Sequence, residues 1–508
     1  MSEKQLFVLR TYLRDYYSQY HTSKVSVVFR HAGTEDVPGC QPLLEFWSIV
    51  EGIPQDQETP KYATSQAGRL VWPRTVVQIN ESQEEAENLA PNFGGIVKAG
   101  NKANTDDFYK MFRDWTNIRM LNMCRRSSWS LTDECFRHLT NLRSLDMSHC
   151  SHPTITDKAF SHLSNLVDLN MGHCTQTTIT SEGFRHLHNL TSLTAFWCSQ
   201  IDDQAFSHLP NLEALDISTA ESVQLTDEGF RHLSKLKTLL MSDSTINRPR
   251  RFYTTISDKA FHHLKDLKCL DMSDCTQTTI TDEAFRFMRN LESLNIKRCV
   301  QTTITDEAFS HLPSLTSLNM NLCSQPTFTG EGFRYLTQLQ SLSMFGCMQS
   351  TITTRGFRHL AHLTKLNMKE CQQTTLTDKD FLYLTNLRWL NMRKCYQPTI
   401  TDAMFQHLKK LESLYMYKCC QPTISGNAFV HLTNLQCLSI RNCRNIDLTS
   451  ETFQSLSRLK YLDIAGCIQS RVTEETFRNL TRLEIVWVNS PVAESVFRHF
   501  TNVTINST

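Results

Sequence analysis

From Phe261 to Cys467, apolar and polar positions recur with an unbroken 24-residue period. One copy reads Thr281-Asp282-Glu283-Ala284-Phe285, then Leu291-x-x-Leu294-x-Ile296-x-x-Cys299. The phenylalanine returns at every step to Phe477, and the cysteine from Cys275 to Cys467. A fixed period in this range marks a solenoid. In Leu291 to Cys299, Leu294 and Ile296 alternate with polar Ser293, Asn295 and Lys297. That alternation predicts a strand with one buried face. Thr281 to Met288 has the spacing of a short helix. Thr281 caps it, and Asp282 and Glu283 occupy the first turn, which suits the positive helix end. Phe285, Met288 and Leu291 then point to the core. Each repeat is strand, loop, helix and return. Parallel strands stack about 4.8 Å apart and bulkier helices space wider. The stack is therefore expected to curve, with strands on the concave side and short helices on the convex side.

The array starts upstream of the perfect stretch. Phe112, Phe136, Phe160 and Phe184 already keep the step, and Arg126, Cys150, Cys174 and Cys198 fill the cysteine position. The register shortens around Ser199 to Asp202. Ala220 and Ser244 then replace cysteine, and an insertion follows near Asn247 to Tyr253. Pro491 stands at the cysteine position of the last full repeat, and Phe497 opens a truncated one. Residues 105–508 thus hold about sixteen repeats, mostly of 24 residues. Residues 1–104 do not repeat. Leu6, Leu9, Leu13 and Tyr16 have helical spacing, Lys24 to Phe29 reads as a strand, and Leu43 to Val50 as a helix. Leu70 to Trp72 and Val76 to Ile79 read as extended, and Ser82 to Glu85 is a capping-box start for a helix reaching Leu89. This is a small mixed α/β segment, suited to cover the open end of the array.

The pattern L-x-x-L-x-[LIM]-x-x-C-x-x-x-x-[IL]-[TS]-D-x-x-F-x-x-L resembles the leucine-rich repeat family, in its cysteine-containing version, over roughly residues 105–508. The resemblance implies an α/β solenoid, a curved horseshoe that serves as a protein-binding scaffold. The cysteine-containing version is common in substrate receptors of ubiquitin ligases, where an F-box precedes the repeats. Residues 1–100 lack its Leu-Pro opening and leucine-rich three-helix stretch.

Composition narrows the picture. The net charge is +1 over 508 residues, so nothing global points to nucleic acid. No run of about 18 apolar residues predicts a membrane span. Met1-Ser2-Glu3-Lys4 does not open a signal peptide. The expectation is a cytoplasmic or nuclear monomer. Of 18 cysteines, twelve share one repeat position, so they are expected to be reduced and structural. Sequons at Asn80, Asn189, Asn479, Asn502 and Asn506 are then chance matches.

A row of thiols does not converge on a metal, and a cysteine in a tight turn can bond loop backbone. Ten histidines stand two residues after the repeat phenylalanine: His138, His162, His186, His208, His232, His263, His311, His359, His407 and His431. Each is placed to bond a free carbonyl at a helix end. Gln277, Gln301, Gln325, Gln349, Gln373, Gln397, Gln421 and Gln469 form a third row, read as stacked amides. Arg30-His31-Ala32-Gly33 faintly resembles the Arg-His-Gly motif of histidine phosphatases, but Ala32 breaks it. Cys40 has no nucleophile context. No metal, cofactor or catalytic residue is assigned.

The third, fifth, seventh and eighth positions of Leu-x-x-Leu-x-[LIM]-x-x-Cys are expected to face outward. From residue 365 they are Lys365, Asn367, Lys369, Glu370; Trp389, Asn391, Arg393, Lys394; Ser413, Tyr415, Tyr417, Lys418; and Cys437, Ser439, Arg441, Asn442. Six are basic and one is acidic, with three aromatics interleaved. Exposed aromatics and arginines are the usual interface anchors. The sequence therefore predicts a non-enzymatic interaction scaffold. Its partner is a protein, acidic or phosphorylated, held by Lys365, Lys369, Trp389, Arg393, Lys394, Tyr415, Tyr417, Lys418 and Arg441. Asp146, Asp168, Asp216 and Asp271 in earlier repeats disfavour a long polyanion such as nucleic acid. Two alternatives stand beside it: a ubiquitin-ligase substrate receptor with an adaptor module in the N-terminal segment, and a hydrolase carried by residues 1–104 around His31.

Overall fold

In the computed structural model, the described residues are 76–79, 96–99, 118–124, 131–198, 201–218, 225–243, 256–347, 354–371, 376–419, 421–467, 472–489, 496–497 and 503–507. Arg126, Ala220, Ser244, the insertion at 247–253, Gln349, Gln373, Gln469, Pro491, the 30–35 motif, Cys40 and the helices expected before residue 90 lie outside them. The chain divides into two compact units, Met1–Thr238 and Leu239–Thr508.

In the first unit, three-residue strands follow one another in parallel and in sequence order. Met120–Asn122, Ser144–Asp146, Asp168–Asn170, Ser192–Thr194 and Ala214–Asp216 pair side by side. Leu121, Leu145, Leu169, Leu193 and Leu215 stand in register. Val76–Ile79 and Ile96–Ala99 join the same sheet, with Ile96 opposite Met120. The extended reading of residues 76–79 agrees with this. The sheet thus continues upstream of residue 105, where the repeats were expected to begin.

The second unit repeats the arrangement. Cys269–Asp271, Ser293–Asn295, Ser317–Asn319, Ser341–Ser343, Lys365–Asn367, Trp389–Asn391, Ser413–Tyr415, Cys437–Ser439, Tyr461–Asp463, Ile485–Val488 and Thr504–Ser507 are parallel neighbours in that order. From Cys269 to Asp463 the register is one full repeat.

The helical segments are single turns of four to six residues, such as Asp282–Phe285 and Asp402–His407. Thr281 caps the first as expected, accepting from the Glu283 N–H at 3.2 Å. The same residue type also ties repeats together. Thr305 donates its N–H and its hydroxyl to the two carboxylate oxygens of Asp282, both at 2.7 Å. Thr401 to Asp378 and Ser425 to Asp402 copy this in the second unit, and Thr156 to Asp133 and Thr226 to Asp203 in the first. One threonine therefore caps its own turn and fastens it to the turn before.

Between sheet and turns lies a column of rings. Phe285, Phe309, Phe333, Phe357, Phe381 and Phe405 are buried, with Met288 and Leu291 beside them. Successive ring centroids stand 6.4 Å apart at Phe309–Phe333 and 6.2 Å at Phe333–Phe357 and Phe357–Phe381. That is wider than the spacing of paired strands, about 4.8 Å. Among the described residues, no helix is long and apolar enough to cross a membrane.

Candidate interaction face

The outward side of each strand is built by the exit from that strand. The fifth repeat position is mostly Asn or Asp. Its side-chain oxygen accepts the N–H two residues on, at 3.2 Å for Lys297 to Asn295 and 3.1 Å for Arg393 to Asn391. The eighth position then turns left-handed: Arg298 has φ 56°, Lys394 55° and Lys418 54°. Its N–H is returned to the next repeat, as in Lys394 to the Tyr417 carbonyl at 2.8 Å. The cysteine comes next. Its thiol donates to the carbonyl at the sixth position of the preceding repeat, as Cys371 to Met344 at 2.9 Å and Cys395 to Met368 at 2.7 Å. Burial pushes the Cys395 thiol up to about 12. The loop-backbone role expected for the cysteines is the one observed.

Two other rows differ from expectation. Among the described residues, no ring nitrogen of the histidine row bonds a helix carbonyl. His186, His232 and His359 accept from the Nε of the arginine just before them, at 3.1, 3.1 and 3.0 Å. An adjacent guanidinium is a nearer donor than a carbonyl is an acceptor, and burial and that arginine lower the pKa of His186 and His359. The described glutamines of the row are buried, and two of them reach backbone rather than one another. Gln325 donates to the Gln301 carbonyl at 3.0 Å, and Gln397 to the Cys371 carbonyl at 3.2 Å.

On the face from Lys365 to Arg441, the aromatics are not the outermost groups. Trp389 and Tyr415 are each 6% exposed. They were expected to stand free as anchors; instead they cover each other, with centroids 5.7 Å apart. Cys437 and Tyr461 complete the cluster, and the Cys437 thiol donates to the Tyr415 hydroxyl oxygen at 3.3 Å. Desolvation raises the Tyr415 pKa well above its ordinary value. The reason is geometric. Strand neighbours are close enough for large side chains at the third and fifth positions to close over small Ser413 and Cys437.

Four of the cations lie over aromatic rings, one of them over this floor. Arg393 sits 5.0 Å from the Tyr415 ring centroid, and Lys369 4.6 Å from Phe345. Lys418 is 5.2 Å from Tyr417, and Arg441 5.1 Å from Trp487. Lys394 and Lys418 are exposed, whereas Lys365, Lys369, Arg393, Tyr417 and Arg441 are half-buried. Two carboxylates temper the charge. Glu370 meets Lys394 at 2.8 Å and Lys369 at 3.9 Å, and Asp463 meets Arg441 at 2.9 Å. The residues missed from sequence are Phe345, Tyr461, Asp463 and Trp487. Phe345 lies at a seventh position, one repeat upstream of Lys365. The other three hold the third and fifth positions of the next two repeats, so the same outward pattern, carried one repeat upstream and two downstream, finds them all.

In the first unit the outward residues have another character. His149 stacks on His173 at 4.2 Å, and His173 on Trp197 at 5.3 Å. Gly172 makes room there, since a Cβ on it would lie 2.2 Å from the Phe196 ring. Among the described residues, no group of three His, Cys, Asp or Glu side chains is placed to hold a metal ion.

Comparison with known proteins fits this geometry. No curated protein matches the sequence. The chain is similar in structure to a leucine-rich-repeat protein of Leptospira interrogans, at 19% identity and a TM-score of 0.59, covering 80% of this chain and 100% of that one. It is also similar to a chain of the Toll–Spatzle complex of Drosophila, at 15% identity and a TM-score of 0.57, covering 82% of this chain and 60% of that one. The family described as BspA type leucine rich repeat region matches in six copies over residues 109–237, 254–388 and 374–506. With its 24-residue register, single-turn helices and parallel strands, the chain belongs to the BspA-type leucine-rich-repeat family.

Proposed function

We propose that the chain is a non-enzymatic scaffold that binds a protein partner on the outward strand face between Lys365 and Arg441. The observation that carries the reading is the set of six cations on four adjacent strands, four of them held against aromatic rings. Cations fixed over rings are preorganised and keep their charge at the surface. Among the described residues, Glu370 and Asp463 are the carboxylates that form ion pairs with these cations. An acidic partner fits the sign, and its association weakens with salt. Trp389 and Tyr415 form the floor, and Tyr417 and the cations meet the partner. The Toll–Spatzle complex is a protein–protein assembly on a similar fold, which agrees with this use of the repeat.

The test is charge reversal at two cations for which the described residues provide no ion pair, Lys365→Glu with Lys418→Glu. The circular dichroism spectrum and the melting temperature are expected to stay unchanged. Proteins retained by the native chain in a pull-down at low salt are expected to be lost. Retention of the same partners by the folded double variant places the binding face elsewhere.

A further inference from the structure

We infer that Arg393 and Arg441 are the specificity-determining pair of this face, reading two carboxylates of an acidic protein segment, while the lysines supply only attraction. The inference rests on the strand-face reading and goes one step beyond it, to which cations recognise and which merely steer. The two arginines occupy the same repeat position on strands that are next but one in the register Asn391↔Tyr415↔Ser439. Their backbones therefore stand roughly 10 Å apart. Tyr417 lies between them at the same position of the intervening strand.

Each guanidinium is fixed in the same way. Arg393 lies over Tyr415, and Arg441 over Trp487. Tyr415 is itself locked by Trp389 and by the Cys437 thiol. Arg441 is held by a second device: its Nε donates to both Asp463 oxygens, at 3.0 and 2.9 Å. Asp463 is buried and accepts from Ser439 and the Ala465 N–H as well. With Nε engaged, the two terminal nitrogens of Arg441 remain for an incoming carboxylate. A guanidinium stacked on a ring presents a planar donor fork that matches a carboxylate, and an ammonium cannot reproduce it. The lysines differ. Lys394 and Lys369 share Glu370, and Lys365 and Lys418 carry compact ammonium charges with no planar fork. Such groups set the rate of encounter more than the identity of the partner.

The experiment uses the full chain and fluorescence anisotropy with a fluorescein-labelled peptide of ten glutamates, against a ten-lysine control. The native protein is expected to bind the glutamate peptide and not the lysine peptide. The double variant Arg393→Lys with Arg441→Lys keeps the net charge. It is expected to weaken binding about tenfold with little change in the salt slope. Lys365→Ala with Lys418→Ala is expected to weaken binding about threefold or less, chiefly by flattening the salt dependence. Thermal melts check that each variant is folded. Native-like affinity of the arginine-to-lysine variant, with binding abolished by Lys365→Glu with Lys418→Glu, overturns the arginine assignment and leaves the face intact. Failure of the native chain to bind the glutamate peptide overturns the face itself. Binding of a phosphorylated peptide in place of the glutamate peptide overturns the carboxylate assignment.

Discussion

The eighth residue of the repeat shows how one dihedral organises a face. Ten described residues other than glycine take a positive φ, all at this position, among them His149, Arg298, Leu322 and Lys394. Gly346 and Gly466 fill it in two further repeats. A left-handed conformation costs an L-residue about 1–2 kcal/mol. It persists because the N–H of nine of the ten is bonded to a carbonyl of the next repeat, as Arg298 with the Asn321 carbonyl at 2.8 Å. Two substitutions separate strain from side chain. Arg298→Gly relieves the strain and gives up only an ion pair to Asp274 that is 3.7 Å long and 41% exposed on the arginine side. It is expected to leave stability unchanged or raise it by up to about 1 kcal/mol, because the relieved strain outweighs the extra unfolded-state entropy that glycine brings. Arg298→Val places a β-branched side chain where φ is positive and is expected to cost about 1–2 kcal/mol. Urea unfolding of the two variants measures the difference.

At the scale of the element, the single-turn helix is held from two sides. Inside, its phenylalanine joins the ring column; outside, its first-turn aspartate receives the next threonine. Phe381→Ala removes a fully buried ring that meets Phe357 edge to face at 6.2 Å. The expected cost is about 3–5 kcal/mol. Exposed Lys379 is on the same turn, and Lys379→Ala is expected to stay within about 0.5 kcal/mol. Equal thermal shifts would mean that the faces of the repeat are assigned wrongly.

Much of this element is legible in the amino-acid sequence. Phe285, Met288, Leu291, Leu294 and Cys299 recur so regularly that period alone assigns them to the core. Caps such as Thr281 follow from their position before an acidic first turn. The second task of that threonine is not legible there, because the Thr305–Asp282 bond joins residues 23 apart whose nearness depends on the register. The burial of Trp389 and Tyr415 is hidden for a similar reason. Strand alternation tells which way a side chain leaves the sheet, but not what its neighbours leave uncovered. Small Ser413 and Cys437 decide that. The histidine row misleads because a helix end advertises carbonyls, while the decisive partner, such as Arg185 for His186, is simply the preceding residue.

At the scale of the molecule, the same thiol bond recurs in both units: Cys174 to Met147 in one, Cys371 to Met344 in the other. Burial pushes Cys198, Cys347, Cys395 and Cys467 up to about 12, against an ordinary thiol value of 9.0. In the unfolded chain these thiols release their protons near the ordinary value, while in the folded chain they keep them. Stability is therefore full below pH 9 and is lost as pH rises from there through the folded-state values. Each such thiol contributes a slope of about 1.4 kcal/mol per pH unit. The melting temperature is expected to be flat from pH 7 to 8.5 and to fall steeply above pH 9, where proton release on unfolding can be followed by titration.

The thiol row also turns the chain into its own recorder of fluctuations. Every buried cysteine belongs to one known repeat and stays silent toward an alkylating reagent until that repeat opens. Brief exposure to iodoacetamide, followed by digestion and mass spectrometry, would date each opening separately. Adjacent repeats share threonine–aspartate and thiol–carbonyl bonds, so their cysteines are expected to acquire the label together on the same molecules. Labels scattered independently along the chain would show that each repeat breathes alone.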